Sequence, residues 1–344
     1  MKKIVIHKAG SYERLHIEEF ADLTPKDNEV VVQVRHIGVN YADCLVRWGV
    51  YASAKAYVGW PITPGFEFTG VVLKVGSAVR DRHVGQEVMG VTLFNAYATQ
   101  VCVPSSQLFS LPSGFSLSQA AGFPAVFFTA FHALFQIAKI YPGSNILVHS
   151  AAGGVGSALT QLASIKGLKV TAVVGASHKV EYAKRQGALH VIDKSKEDLW
   201  MKARELVPEG FDAVFDANGF STYQKSYDHL RPTGKLIAYG SHSLLPKGGS
   251  GRMNYLKAAW GLLKTPRFSP LDLISDNKSV VGFNLSFLFD RADLLQESIQ
   301  QLQEWCAQGK IHPPQITEFS FDDVARAHRL LESGQSVGKI ILTV

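Results

Sequence analysis

Two rhythms of apolar and polar positions run along the chain, and the change between them falls near residue 123. Before it, short apolar runs alternate with turns: Glu29 to Arg35 (EVVVQVR), Phe66 to Val75 (FEFTGVVLKV), Gln86 to Met89 and Tyr97 to Val103. Gly76-Ser77 ends the second run and Pro104 the fourth. Runs of β-branched and aromatic residues bounded by Gly, Ser or Pro predict strands. Nothing between them has a strand-helix rhythm, so an antiparallel β module is expected over residues 1–122.

From residue 123 onward the pattern changes. Asn145 to Ser150 reads as a short buried strand, and the helical pattern after it puts Leu159, Leu162 and Ala163 on one face. Lys169 to Val174 is the next strand, and a helix from Ser177 to Gln186 stops at Gly187, a residue suited to a left-handed cap. Strands at Val191-Ile192, Ala213 to Phe215, Leu236 to Ala238 and Val280-Val281 continue the series. Alternating strands and helices need crossover connections, which predicts an α/β, doubly wound parallel sheet of the Rossmann kind. Residues 243–278 interrupt the rhythm with a glycine-rich turn and an apolar helical stretch carrying Lys257 and Lys264. Arg291 to Ala307 reads as an amphipathic helix, His312-Pro313-Pro314 as an exit, and Lys339 to Val344 as a final strand.

Composition narrows the class. A length of 344 residues suggests two domains at about 150 residues each. With 46% hydrophobic and 19% charged residues, disorder is excluded. Cys44, Cys102 and Cys306 are too few and too scattered for a disulfide framework or a four-cysteine zinc lobe. A net charge of +6 over so large a surface gives little reason to expect nucleic acid, and makes a membrane surface the less favoured partner. No run reaches the roughly 18 apolar residues of a membrane span, and the start MKKIVIH lacks the apolar core of a secretory signal. A cytoplasmic location is expected.

The sharpest motif is Ser150-Ala151-Ala152-Gly153-Gly154-Val155-Gly156, between a buried strand and a helix. There, glycines let the backbone approach a pyrophosphate while the helix start offers unpaired N–H groups. Ala151 stands in the place of the first glycine of G-x-G-x-x-G. An NAD site usually carries an acid about 20 residues further on, for the ribose hydroxyls. The second strand here ends Val174-Gly175-Ala176-Ser177-His178-Lys179, with no acid but with a hydroxyl and a lysine. Those groups suit the 2′-phosphate of NADPH; the plain alternative is that Lys179 is a solvated lysine in a first helical turn.

With these residues in place, the chain resembles a medium-chain dehydrogenase/reductase, and within that superfamily the zinc-free quinone oxidoreductase group. The resemblance spans Gly38-Val39-Asn40-Tyr41-Ala42-Asp43, Thr63-Pro64-Gly65-Phe66-Glu67, Ala151 to Gly156 and Val337-Gly338-Lys339. Gly282-Phe283-Asn284-Leu285 and the 243–278 insert are similar to the synaptic-vesicle amine-transport-protein homologues. The resemblance implies a chaperonin-10-like catalytic domain, residues 1–122 with 313–344, and a Rossmann NADP-binding domain, residues 123–312, with the active site in the cleft between them. It also implies a homodimer paired through a coenzyme-domain edge strand around Val280 to Leu285.

Metal ligation fails on residue type. Where zinc-dependent relatives carry ligands, this chain has Asn40 and Phe66; a phenyl ring cannot ligate and an amide oxygen is a poor zinc ligand. No metal site is expected. Hydride transfer then needs an acceptor that spreads negative charge by its own conjugation, a quinone or an enone. The resemblance places Asn40 and Tyr51 beside the nicotinamide and substrate, although Asp43 and Arg47 could form a local ion pair that shapes the loop. Thr129 matches a residue near the nicotinamide. Gly175, Ser177, Lys179 and Lys194 fall in the adenosine-phosphate region. Asn218 and Tyr239-Gly240-Ser241 follow strands at the ribose side, and Phe283 and Asn284 correspond to backbone contacts with the carboxamide. Lys339 lies in a tail that can reach the 2′-phosphate, with a surface lysine as the commoner explanation. Three readings stay open: an NADPH-dependent quinone or enone reductase, a lipid- or vesicle-surface protein on the same fold with little turnover, and a scaffold with vestigial cofactor binding.

Overall fold

The computed structural model describes residues 1–244, 255–289 and 291–344. The chain divides into two compact units. Residues 1–125 with 286–344 form the first, and among the described residues 126–244 with 255–285 form the second.

In the first unit β1 (Lys2–Val5) and β2 (His16–Glu19) make a small antiparallel pair. The main sheet is built on β3 (Glu29–Val39), β4 (Glu67–Val75), β5 (Glu87–Val91), β6 (Gln100–Pro104) and β7 (Leu108–Phe109). All pairings among these five are antiparallel, as the alternating pattern predicts. β3 runs four residues past the expected Arg35, because its far half pairs with the tail strand. Val30, Val32, Val34, Ile37, Phe68 and Val72 point into one core, closed by Ile340 and Leu342.

The second unit contains β8 (Asn145–Val148), β9 (Lys169–Val174), β10 (His190–Asp193), β11 (Phe211–Asp216), β12 (Leu230–Ala238) and β13 (Ser279–Gly282). They form one parallel sheet in the order β10-β9-β8-β11-β12-β13. Counted from β8 this is the doubly wound order, whose reversal beside the first strand opens a ligand crevice at the strand C-terminal ends. Ile146, Leu147 and Val148 are wholly buried, as expected of a parallel strand covered on both faces. The helix expected from Ser177 begins as a 3-10 turn, Ser177–Lys179, and continues as an α-helix over Val180–Arg185.

The return to the first unit comes at Ser286 rather than at residue 313. The helix Ala292–Ala307 packs there: Gln303 donates to the Ser110 carbonyl at 3.2 Å, and Ile299 lines a hollow with Leu108 and Phe109. β14 (Ile316–Ser320) and β15 (Lys339–Thr343) then run parallel to each other and complete the main sheet through β3. The insert forms helices at Tyr255–Leu263 and Pro270–Asp276, while its glycine-rich turn lies outside the described residues. Among the described residues no helix is long and apolar enough to cross a membrane.

Candidate cofactor and substrate site

The fingerprint loop follows β8 directly. The left-handed residue of the turn is Ser150, at φ +53°, so Ala151 needs no glycine conformation and sits fully buried. Its N–H bonds back to the Val173 carbonyl at 3.0 Å. Gly153 caps the helix Gly154–Ile165, leaving no side chain over its first turn. A Cβ on Gly156 would lie 2.7 Å from the Ala151 Cα, so only glycine lets helix and loop pack this closely. Ala152 is buried beneath the same turn, and the first-turn N–H groups, Val155 among them, have no intrahelical acceptor.

At the end of β9, Lys194 reaches over Gly175, its Cε 3.7 Å from where a Cβ would stand. Lys179 is 8% exposed, and its ammonium is held below the ordinary lysine range first by burial and then by the charge of Lys194. The pattern left this region without an acid, but tertiary structure supplies one. Asp193 is in register with Val174 on the neighbouring strand and accepts from the Ser177 hydroxyl at 2.6 Å and from Ser195 N and Oγ at 3.0 and 2.6 Å. Those donors hold its carboxyl below the usual range. Ser177 is thereby corrected: its one hydroxyl proton goes to Asp193 and is not available to a phosphate.

The loops after β11 and β12 carry the next group. Asp216, wholly buried, accepts from Asn218 N at 2.7 Å, Thr222 Oγ1 at 3.0 Å and Ser226 Oγ at 2.7 Å. The Ser150 hydroxyl donates to Asn218 Oδ1 at 3.1 Å, tying the fingerprint loop to the next one. Asn218 Nδ2, Tyr239 OH and Ser243 Oγ are buried and have no hydrogen-bond partner among the described residues. Buried polar groups are nearly always paired, so this trio at strand ends fits a missing polar ligand. Gly240 allows the two loops to touch, since a Cβ there would meet the Ala217 oxygen at 2.6 Å, and Ser241 follows, half-buried. Phe283 stacks on Tyr239 at 6.1 Å and meets the His132 ring edge-on at 4.9 Å; Asn284 follows it, half-buried. Thr129 lies half-buried on the helix Pro124–Phe131. Nearby, burial pushes the His242 imidazole down to about 4.

Within the first unit, Asn40 caps the helix Tyr41–Arg47. Its side chain donates to Glu67 Oε1 at 2.8 Å and accepts from Lys339 Nζ at 2.5 Å. Lys339 is corrected too: at 3% exposed and 2.7 Å from Glu67 Oε1, its ammonium is committed to a buried ion pair and is neither a surface group nor free for a phosphate. The proposed Asp43–Arg47 pair does not form. Arg47 pairs with Glu332, while Asp43 accepts from Asn40 N at 2.7 Å, Gly65 N at 2.9 Å and Tyr97 OH at 3.2 Å. Burial raises the Asp43 carboxyl to about 7, against the pull of those donors and of Lys339. Tyr51 packs edge-on against Phe66 at 5.8 Å and Phe94 at 6.4 Å, and its hydroxyl meets Ser286 Oγ at 2.9 Å. Phe66 thus belongs to an aromatic cluster, and no group of three metal-ligating side chains occurs among the described residues. Glu67, Asp193 and Asp216 were not assigned from sequence; each follows a strand pattern, but its partners come from elsewhere in the chain.

Comparison with known proteins follows this architecture. The family model described as alcohol dehydrogenase GroES-like domain matches residues 26–122, and the one described as zinc-binding dehydrogenase matches residues 186–342. The synaptic vesicle membrane protein VAT-1 homolog of Danio rerio is 33% identical over 99% of this chain and 70% of its own length. Escherichia coli quinone oxidoreductase, solved as a complex with NADPH, superposes with a TM-score of 0.85 at 27% identity and covers 100% of both chains. The CurK enoyl reductase superposes with a TM-score of 0.84 at 25% identity, over 99% of this chain and 98% of its own. The sequence match, the paired β and Rossmann units and the glycine-turned cofactor loop agree, and the chain belongs to the medium-chain dehydrogenase/reductase superfamily, in its quinone oxidoreductase-like group.

Proposed function

We propose that this chain is an NADPH-dependent reductase that delivers hydride to a quinone or an α,β-unsaturated carbonyl without a zinc ion. The observation that carries the reading is Lys194 lying over the bare backbone of Gly175, near enough to the buried Lys179 for its charge to act on that ammonium. A dianionic phosphate placed there would take a charge-assisted hydrogen bond from each ammonium. Asn218 Nδ2 and Tyr239 OH, buried and unpaired among the described residues, fit the polar edge of the same dinucleotide. The first turn of the helix Gly154–Ile165 would receive its pyrophosphate.

NADPH, when bound, supplies the hydride. The chain's own contribution is to hold that donor and its acceptor in register and to keep water away, which is where much of a hydride-transfer rate originates. Phe66 packs against Tyr51 and Phe94, and a phenyl ring offers no atom that could ligate zinc. An acceptor reduced there must carry its developing charge by conjugation. The likeness to a quinone oxidoreductase and to an enoyl reductase supports that class.

Fluorescence titration of both nucleotides at fixed salt tests the cofactor, and NADPH oxidation against a panel of quinones and enones tests the acceptor. NADPH should bind about 10- to 100-fold more tightly than NADH, equivalent to about 1.4–2.7 kcal/mol. Equal affinities would remove the phosphate site, and NADPH binding without turnover on any acceptor would leave only a vestigial scaffold. A second reading, attachment to a lipid surface, draws on exposed Leu256, Trp260 and Leu263, spaced as one helix face, with Lys264 over the Trp260 ring at 5.4 Å. Sedimentation with anionic liposomes separates it from the first.

A further inference from the structure

Four side chains from three separate stretches of the first unit are joined in one hydrogen-bond chain, and all four are fully buried. Asp43 and Cys44 stand on the helix Tyr41–Arg47, Tyr97 on the segment before β6, and His328 on the helix Val324–Ser333. The Cys44 thiol lies 3.5 Å from His328 Nδ1, His328 Nε2 lies 3.1 Å from Tyr97 OH, and Tyr97 OH lies 3.2 Å from Asp43 Oδ2. The Tyr97 and His328 rings meet edge-on at 5.8 Å. Asp43 Oδ2 also accepts from Asn40 N at 2.7 Å, which closes the capping box of its helix, and Oδ1 accepts from Gly65 N at 2.9 Å. The charges around the chain are Lys339 of β15, paired with Glu67 and felt by Asp43, and Arg47 with Glu332, felt by Cys44. Arg47 also acts on His328, and the phenols of Tyr12 and Tyr41 lie around Cys44 and Glu332.

Counting protons fixes the direction of every bond. A phenol carries one proton and an ionised carboxylate is the stronger acceptor, so Tyr97 donates to Asp43. His328 Nε2 must then carry an N–H to meet the phenol oxygen, and the bare Nδ1 accepts the Cys44 S–H. A protonated Asp43 demands the opposite order. Its Oδ1 faces the Gly65 N–H, so the acid proton sits on Oδ2 and points to Tyr97. In that change the Tyr97 proton passes to Asp43, the His328 Nε2 proton to Tyr97 and the Cys44 proton to Nδ1. One proton from solvent restores the thiol, whose S–H then turns to Glu332. The balance is one proton gained, and Asp43 alone changes charge. We propose that these four residues form a reversible relay, in which the proton bound at Asp43 switches His328 between its two neutral tautomers and so links the cap of one helix to the helix Val324–Ser333. Burial sets both ends. It raises the Asp43 carboxyl to about 7, while burial and then the Arg47 charge hold the His328 imidazole well below its ordinary range, so the ring moves its proton without gaining one. The relay lies within the first unit and does not depend on the reductase reading.

Nitrogen NMR of the full chain without nucleotide tests the relay, because a protonated and a bare ring nitrogen give separate signals. The His328 ring is assigned by through-bond correlation to its own backbone and followed as pH is taken through about 7. The Nε2–H form should be in about tenfold excess one pH unit above the midpoint, and the Nδ1–H form in about tenfold excess one unit below it. The backbone amides of Asn40 and Gly65, which Asp43 holds, should shift with the same midpoint. Tyr97→Phe cuts the chain: the two amides should still titrate, while His328 keeps one tautomer at every pH. The proposal is overturned if the ring of the unmodified protein keeps one tautomer throughout, or if both its nitrogens become protonated at the midpoint of the amides. It is equally overturned if the tautomer still follows the amides in Tyr97→Phe. Should that variant fail to fold, the titration of the unmodified protein decides alone.

Discussion

A lysine that is both buried and set beside another cation loses hydration and meets repulsion at once, and Lys179 is such a residue. A phosphate placed there returns the charge, so the Lys179 pKa must rise on NADPH binding. NADPH affinity is then full at pH values below the lowered pKa of the free protein and declines as pH rises through it, with proton uptake in that window. NADH, lacking the phosphate, should show no matching decline. Lys179→Ala should weaken NADPH about tenfold and leave NADH nearly unchanged. Calorimetry in two buffers of different ionisation enthalpy checks both statements, and identical pH dependence for the two nucleotides would refute them. Phe66 carries a second expectation at this scale: elemental analysis of the purified protein should find no stoichiometric zinc, and chelation should leave turnover unchanged. Residue type and place after a strand single out Lys179 and Lys194 as candidates for the phosphate. Ser177 and Lys339 could not be resolved the same way, because Asp193 and Glu67, which claim their polar atoms, lie on other strands.

Single contacts between elements carry the first unit. The helix Val324–Ser333 meets the helix Tyr41–Arg47 through Glu332, whose carboxylate pairs with Arg47 and accepts from Tyr12 OH at 2.6 Å and Trp48 Nε1 at 3.1 Å. The Arg47 guanidinium lies over the Tyr12 ring at 4.4 Å. Both charged side chains are fully buried, so Glu332→Ala leaves an arginine with neither water nor counter-ion. The loss should be about 3–5 kcal/mol, read by denaturant unfolding, and the double change Arg47→Met/Glu332→Met should recover much of it. A loss no larger than that of an ordinary surface change would mean that water reaches Arg47. Neither helix was expected from the pattern of apolar positions. The strands beside them were, because alternation over a half-buried sheet is written locally, whereas a short helix stabilised by one buried ion pair has no periodic signal.

For the whole molecule the exposed end of the second sheet matters most. β13 is the last strand in its order, and its outer edge offers backbone groups to another strand. Exposed Leu271 and Ile274 lie on the helix immediately before it. A homodimer paired through this edge is the expected assembly, and Ser279→Lys, at an exposed β13 position, should weaken it about tenfold by bringing like charges together. Sedimentation velocity over a range of concentrations measures this; a dimer indifferent to the substitution would place the contact elsewhere. The sequence by itself determined the two kinds of sheet and the glycine-turned loop. Periodicity and glycine sterics act within a few residues, and so do the bonds of a single turn. Only tertiary structure decided that Ser150 and not Ala151 takes the left-handed turn, that the chain returns to the first unit at Ser286, and that Lys339 serves Asn40 rather than a phosphate. A charge takes the partner that packing brings to it, and packing joins β3, β4 and β15 from opposite ends of the chain.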